Sequence, residues 1–327
     1  MLRKNLFAIV YSVLLTAFTV YVLMDTFVIT RIYSTVPAVE VSSEAGSDAA
    51  DSDTTVADSY SAVAEAAVNA SASEQTGESP TSQQPVSTAT SYQDENTTIT
   101  STQYREYDTS IYVADITLSS PEYLQTALAQ NAYGRNVTEK TSEMAVENGA
   151  ILAINGDYYG SQESGYVLRN GVLYRDIAER GQEDLVIYED GSFEIITEDE
   201  VTAQELLDRG AVQILSFGPA LVTGGDVSVT AGEEVGKARS SNPRTAIGVI
   251  DDLHYVFVVS DGRTDESEGL SLYQLAEFIS ELGAETAYNL DGGGSSSMVF
   301  NGNVINNPTT SGNRIKERSV SDIVYIG

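Results

Sequence analysis

Between two apolar runs, the stretch Asn289-Leu-Asp-Gly-Gly-Gly-Ser-Ser-Ser-Met-Val-Phe300 places three successive glycines directly after an aspartate. Strand-like sequence from Thr286 to Leu290 stops at Asp291, and apolar sequence resumes at Met298. Glycine tolerates positive φ and close approach but loses more conformational freedom on folding than any other residue. A run of three clamped between strands therefore predicts a sharp functional turn; the alternative is a short flexible linker. Successive N–H groups in such a turn can form a nest for an anion, and serine hydroxyls add donors. Gly292, Gly293, Gly294, Ser295 and Ser296 are candidate binding residues on this ground.

Composition narrows the chemistry. The formal charge of -31 argues against a nucleic-acid partner, which would call for a basic face. Without cysteine there is no disulfide, thiolate metal site or cysteine nucleophile. The single histidine, His254, excludes a His-rich metal site and reads as a strand residue.

Arg3 and Lys4 precede an apolar stretch from Leu6 to Met24. That stretch is near the length of a membrane span, and its basic flank predicts a cytoplasmic N-terminus with the remainder outside. The expectation is a single-pass anchor at 1–30 in the cell membrane, the rival reading being a cleaved signal peptide. Between Ile32 and Tyr104 there are acidic residues but no lysine or arginine, and Ser, Thr and Ala dominate. Such a segment reads as a disordered stalk, 31–103, ahead of a folded domain at 104–327.

Within that domain, Ser110–Leu118 alternates as a strand, and Pro121–Gln130 and Val137–Asn148 read as helices, the second closed by Gly149. Asn170-Gly171, Asp190-Gly191 and Asn301-Gly302 signal hairpin turns. Thr202-Ala-Gln-Glu205 and Ser271-Leu-Tyr-Gln274 are capping boxes that open helices. Arg244–Ile250, His254–Ser260 and Val320–Ile326 read as further strands. Many strands with few helices predict an α+β domain built on mixed β-sheet.

Three strands end in similar polar clusters: Asn155-Gly156-Asp157, Asp261-Gly262-Arg263 and Asp291-Gly-Gly-Gly294. Each aspartate alone reads equally well as a turn former. Together they predict one cleft holding three carboxylates, an arginine and a glycine turn, with Arg244 and Arg318 pointing to the same place. Arginines and N–H groups recognise phosphate, while carboxylates stabilise an oxocarbenium-like centre or activate water. A sugar linked through its anomeric carbon to phosphate needs both. The tyrosines could stack on sugars, though most are expected to be packing residues.

The sequence resembles the phosphodiester glycosidase family in Ile154-Asn-Gly-Asp-Tyr-Tyr159, Pro243-Arg-Thr-Ala-Ile-Gly248, Val259-Ser-Asp-Gly-Arg263, Asn289–Val299 and Glu317-Arg-Ser-Val-Ser-Asp322. The likeness runs from about Tyr104 to the end. Asp157 stands where many members carry a second glycine, and Ser319 where proline is common. The resemblance implies a bacterial, membrane-anchored hydrolase that cleaves a sugar-1-phosphodiester in a surface glycan or exopolysaccharide, with no cofactor. It implies Asp157, Asp261 and Asp291 as the carboxylates. Asn155, Gly156, Arg244, Thr245, Arg263 and Arg318 would bind substrate or phosphate, with the turn Gly292–Ser296. The alternatives are a divalent-metal phosphodiesterase using the same aspartates and a non-catalytic glycan-binding module.

Overall fold

The computed structural model describes residues 2–35, 85–235, 241–311 and 314–327; of residues 2–9, 27 and 311 only the backbone is described. Most of the expected stalk lies outside these residues. Among the described residues there are three large sheets, two two-stranded ribbons and four α-helices, an α+β arrangement dominated by strands.

The largest sheet has nine strands. Its centre runs Ala220–Thr223, Thr286–Leu290, Arg244–Asp251, His254–Ser260, Thr109–Leu118 and Thr97–Glu106, with neighbours antiparallel. A five-stranded sheet places Leu152–Asn155 between Met298–Phe300 and Asp322–Ile326. A second five-stranded sheet carries the hairpins Gly165–Arg169/Val172–Ile177 and Glu183–Tyr188/Phe193–Thr197. Their turns follow the dipeptides: Asn170, Gly171 and Gly191 all take positive φ.

The main core fills the space these sheets share. Ile247, Phe257 and Val259 from the large sheet meet Leu152, Ile154 and Val324 from one neighbour and Leu185, Ile187 and Leu215 from the other. The opposite face of the large sheet is covered by a helix, Leu272–Glu281, whose Leu272, Leu275 and Ile279 pack on Val113, Ala246 and Val258. Both faces are thus apolar, which is why Val256–Val259 reads as an unbroken hydrophobic run. The capping boxes at Thr202 and Ser271 form as expected, each with reciprocal bonds to the third helical residue.

Three elements differ from the sequence expectation. Pro121–Gln130 is not a helix: a single 3-10 turn over Pro121–Tyr123 leads into a strand, Leu124–Leu128, paired with Asp322–Ile326. Pairing with a distant strand here overrides the helix preference of Leu, Gln and Ala. The helix expected over Val137–Asn148 is shorter, Thr141–Glu147, and ends before Gly149 at φ 63. Order reaches ahead of residue 104, because Thr97–Glu106 pairs along its whole length with Thr109–Leu118. Thr97 and Ile99 point inward there, and β-branched residues suit a half-buried strand.

Near the N-terminus, a helix spans Leu2–Phe27, and Arg31–Thr35 then pairs with Ala132–Arg135 as a two-stranded ribbon. Among the described residues no helix is long and apolar enough to cross a membrane. The expected span at 6–24 falls partly on residues whose side chains lie outside the described set.

A polar knot joins the sheets inside the core. Arg169 lies 2.7 Å from Asp157 and 2.8 Å from Asp322, with all three side chains buried. Asp157 also accepts from the Ser216 N–H at 2.8 Å, and Ser216 in turn bonds Glu198. Beside it Asp184 is fully buried, with no hydrogen-bond partner for either oxygen among the described residues. Burial, then the neighbouring Glu198, pushes the Asp184 carboxyl well up. Two carboxylates share one guanidinium in the knot. Burial, then Asp157, raises Asp322 to about 7, against the opposing pull of Arg169.

A carboxyl with a raised folded-state pKa binds a proton on folding, so its contribution weakens as pH climbs from the unfolded value towards the folded one. The melting temperature is therefore expected to be higher at about pH 5 than at about pH 8, and Asp322→Asn to narrow the gap. An unchanged gap in that variant would place the dependence elsewhere. Arg169→Leu leaves a buried carboxylate uncompensated and is expected to cost roughly 3–5 kcal/mol in chemical denaturation.

Candidate active site

The ends of Thr286–Leu290, His254–Ser260 and Leu152–Asn155 come together where the large sheet meets the Leu152–Asn155 sheet, and the connection is the side chain of Asn155. Its Nδ2 donates to the Asp291 carbonyl at 2.6 Å. Its Oδ1 accepts from the Thr245 hydroxyl at 2.8 Å and from the Ser297 N–H at 3.2 Å. Gly156 completes the contact: its carbonyl accepts from the Asp291 N–H at 3.2 Å. A Cβ on Gly156 would stand 2.2 Å from Asp322 Oδ1, so only glycine lets the segments approach.

At this junction Asp291 is nearly enclosed. Its Oδ2 accepts from the Ser295 hydroxyl at 2.5 Å and from Arg318 Nη2 at 2.9 Å. Arg318 also donates to Ser295 through Nε at 3.0 Å, and its side chain remains 41% exposed against 12% for Asp291. The exposed guanidinium is the part of this cluster that faces solvent. Burial raises the pKa of Asp291, and Arg318 followed by Ser295 offsets part of that shift.

The glycine turn is a 3-10 turn over Gly293–Ser295, and it is not the open nest that the sequence suggests. The N–H groups of Gly293, Ser295 and Ser296 donate to the carbonyls of Pro243, Gly292 and Gly293. The turn closes on itself because Asp291 and Ser297 are both tied to Asn155. Its glycines serve close packing instead. Gly293 takes φ +62, and a Cβ there would come within 2.7 Å of Arg263 Nη2. The Arg263 guanidinium lies over this position and donates to Asn242 Oδ1 at 2.9 Å. Ser296 Oγ is buried without a hydrogen-bond partner among the described residues.

The remaining expected residues fall outside this cluster. Asp157 is fully buried in the knot with Arg169 and Asp322. Asp261 is almost as enclosed: Oδ1 accepts from the Asn307 N–H at 2.7 Å and Oδ2 from Asn307 Nδ2 at 3.1 Å. Tyr112 also donates to it at 3.3 Å, and burial, then Asp261, pushes that phenol up to about 12. Asn306 links Asp261 to the glycine turn through the Ser296 carbonyl at 3.0 Å. Arg244 turns away: Nε donates to the Leu270 carbonyl at 2.9 Å and Nη2 pairs with Glu234. Strand alternation is the reason, since Thr245 faces Asn155 and Arg244 must therefore face the opposite side. His254 stands at the start of its strand, 3.1 Å from Asp115. Among the described residues no three acidic or histidine side chains gather as a metal site.

Asn242, Asn306, Asn307 and Arg169 were not legible as site-building residues. Asn242 adjoins Pro243, and Asn306-Asn307-Pro308 looks like an ordinary turn. Asp322 sits in the closing segment Glu317–Asp322, which was its only signal.

The chain is an α+β domain of antiparallel sheets with a glycine turn where strand ends of two sheets converge. Residues 148–327 match the family model described as phosphodiester glycosidase, and the chain belongs to that family of hydrolases. A prophage-derived uncharacterized protein of Bacillus subtilis is 31% identical over 180 residues, 54% of this chain and 28% of that protein. Mouse N-acetylglucosamine-1-phosphodiester alpha-N-acetylglucosaminidase is 28% identical over 184 residues, 51% of this chain and 35% of the enzyme. The chain thus matches about a third of the length of these curated relatives. The catalytic domain of the zebrafish enzyme of the same name shares the fold, with a TM-score of 0.56 at 22% identity over 70% of this chain and 82% of that one. A hypothetical protein from Synechocystis superposes with a TM-score of 0.52 at 15% identity, covering 71% of this chain and 62% of its own.

Gly293→Ala places a side chain in the left-handed region and against Arg263. It is expected to cost roughly 1–2 kcal/mol from the backbone alone. Denaturation curves measure this, and a neutral result would mean that the turn is plastic rather than packed.

Proposed function

We propose that this chain is a glycosidase that hydrolyses a sugar-1-phosphodiester of a cell-surface glycan or exopolysaccharide, releasing the sugar and a phosphomonoester. The observation that carries this reading is the convergence of Asp291, Ser295 and Arg318, with Arg263 over the adjoining glycine turn. In this reading the two arginines hold the phosphate, a geometry that planar guanidinium groups suit. The bond from the anomeric carbon to oxygen breaks, its electron pair leaves on the phosphate, and water supplies the hydroxyl at the anomeric carbon. Charge developing on the leaving oxygen is met by Arg318, a preorganised donor already oriented by Asp291 and Ser295. A phosphomonoester is a weak base and leaves without a strong general acid. That fits a site from which the lone histidine is absent.

Arg318 and Ser295 both meet Oδ2 of Asp291. We assign its other oxygen to the anomeric centre, where a carboxylate stabilises positive charge or orients water. Asp157 and Asp261 act in this reading by fixing the strand ends. The mouse and bovine relatives are named for N-acetylglucosamine, so an α-linked N-acetylglucosamine-1-phosphodiester is the first substrate to try. We place the domain outside the cell, with segment 1–30 as its anchor. The basic residues before the apolar stretch Leu6–Met24 support this placement.

The test is product analysis with and without chelator. Free sugar plus phosphomonoester, indifferent to chelator, is the expected result; sugar-1-phosphate would overturn it and point to a phosphodiesterase. Asp291→Asn and Arg318→Ala are each expected to lower kcat/KM by about 100-fold or more. Arg244→Ala is expected to lower stability instead, with KM nearly unchanged, because its guanidinium serves Leu270 and Glu234.

A further inference from the structure

A cavity of about 400 Å³ lies away from the strand-end cluster, bounded by the Ala132–Arg135 strand, the Tyr159–Ser161 turn, the Val172–Ile177 strand and the added strand Arg31–Thr35. Its wall is a group of tyrosines. Tyr133 stacks on Tyr159 with ring centroids 5.5 Å apart and meets Tyr174 at 5.1 Å and Tyr33 at 5.8 Å. Three arginines, Arg31, Arg135 and Arg175, share the lining with two acids, Glu163 and Asp176. Arg31 pairs with Asp25 and Arg135 with Glu163, which leaves Arg175 as the lining arginine with no carboxylate at ion-pair distance among the described residues.

Three donor atoms of the lining residues lack acceptors among the described residues. Arg135 Nε, Arg175 Nη2 and the Tyr159 hydroxyl are buried with no hydrogen-bond partner among the described residues. Buried donors in native proteins are nearly always paired, so the two guanidinium donors beside the cavity suit a ligand rich in acceptors. Arg175 is bonded to backbone carbonyls, Nε to Gly165 at 2.6 Å and Nη1 to Gln162 at 2.8 Å and Tyr159 at 3.1 Å, and its guanidinium also interacts with the Tyr133 hydroxyl. Those bonds hold the guanidinium in place without neutralising it. Arg135 is pinned by Glu163 at 2.7 Å, which orients it while its Nε stays unpaired.

We propose that this cavity is a second glycan site, one that binds an anionic sugar unit: a sugar ring carrying a phosphate. The tyrosine faces take the ring, and the arginines take the phosphate. The volume lies within the range of small-ligand sites. The N-terminal strand contributes Arg31 and Tyr33, so it completes the wall while pairing with Ala132–Arg135. Such a site retains a phosphate-bearing polymer while another of its units is elsewhere on the protein, and it stands whether or not the strand-end cluster is catalytic.

The test is calorimetric titration of the full chain, in an Arg318→Ala background that disables the strand-end cluster. The probes are glucose 1-phosphate, glucose and inorganic phosphate. Glucose 1-phosphate is expected to bind with a Kd of about 1 mM, and glucose or phosphate alone about tenfold more weakly. Arg135→Gln and Tyr174→Ala are each expected to weaken binding about tenfold with the melting temperature preserved. Tyr33→Ala, at an exposed position, gives the same reading should either variant unfold. Absence of saturable binding up to about 50 mM would overturn the proposal. So would binding that is lost in the Arg318→Ala background, or that all three cavity variants leave unchanged.

Discussion

One side-chain amide, that of Asn155, ties together the pieces on which the candidate site depends. Its acceptor oxygen takes a hydroxyl from the large sheet and an N–H from the glycine turn, while its donor reaches the backbone of Asp291. A buried amide satisfied from three sides fixes register and distance at once, and any loss strands a buried donor or acceptor. The position of Asp291, and through it of Ser295 and Arg318, is inherited from that junction. The glycine turn is best understood the same way. It is a compact spacer whose lack of side chains admits Pro243, Arg263 and Thr310 at close range.

Immediately behind Asn155 lies the knot of Arg169, Asp157 and Asp322. A buried ion pair is weak support for stability in itself, because desolvation offsets much of the attraction. Its effect here is on geometry. Arg169 comes from the hairpin sheet, Asp322 from the last strand and Asp157 from the loop after Asn155, so a single guanidinium locks three segments. An extra carboxylate in such a place holds its proton at a higher pH than usual, which couples the packing of the sheets to acidity.

What the sequence made legible was local. Asn-Gly and Asp-Gly turns, capping boxes and the strand before the glycine run each carry their signal within a few residues. Leu124–Leu128 carries none, because its state depends on pairing with Asp322–Ile326 at the other end of the chain. The site shows the same division. That Asp291, Ser295, Arg318 and Arg263 gather around the turn followed from strand ends and glycines. That Arg244 faces away follows only once Thr245 is known to face Asn155, and that Asp157 is sealed off follows only from its meeting with Arg169. Side-chain direction on a strand is binary, and tertiary contacts decide which face is which.

The distribution of arginine gives the last step. With 48 acidic residues against 17 basic ones, a cation in this chain usually finds a carboxylate nearby. Arg169 and Arg244 are absorbed in this way by buried acids. Arg318 is only half absorbed, since Asp291 and Ser295 hold one edge of a guanidinium that remains substantially exposed. Arg175 is held by backbone carbonyls and the Tyr133 hydroxyl, with no carboxylate at ion-pair distance among the described residues. In a strongly negative molecule, the places where positive charge is held but not neutralised are the places an anionic glycan can approach, because elsewhere the field of the protein repels it. In the proposed reading, two such places, built from different elements, suit a polymer of repeated charged units better than they suit a single small molecule.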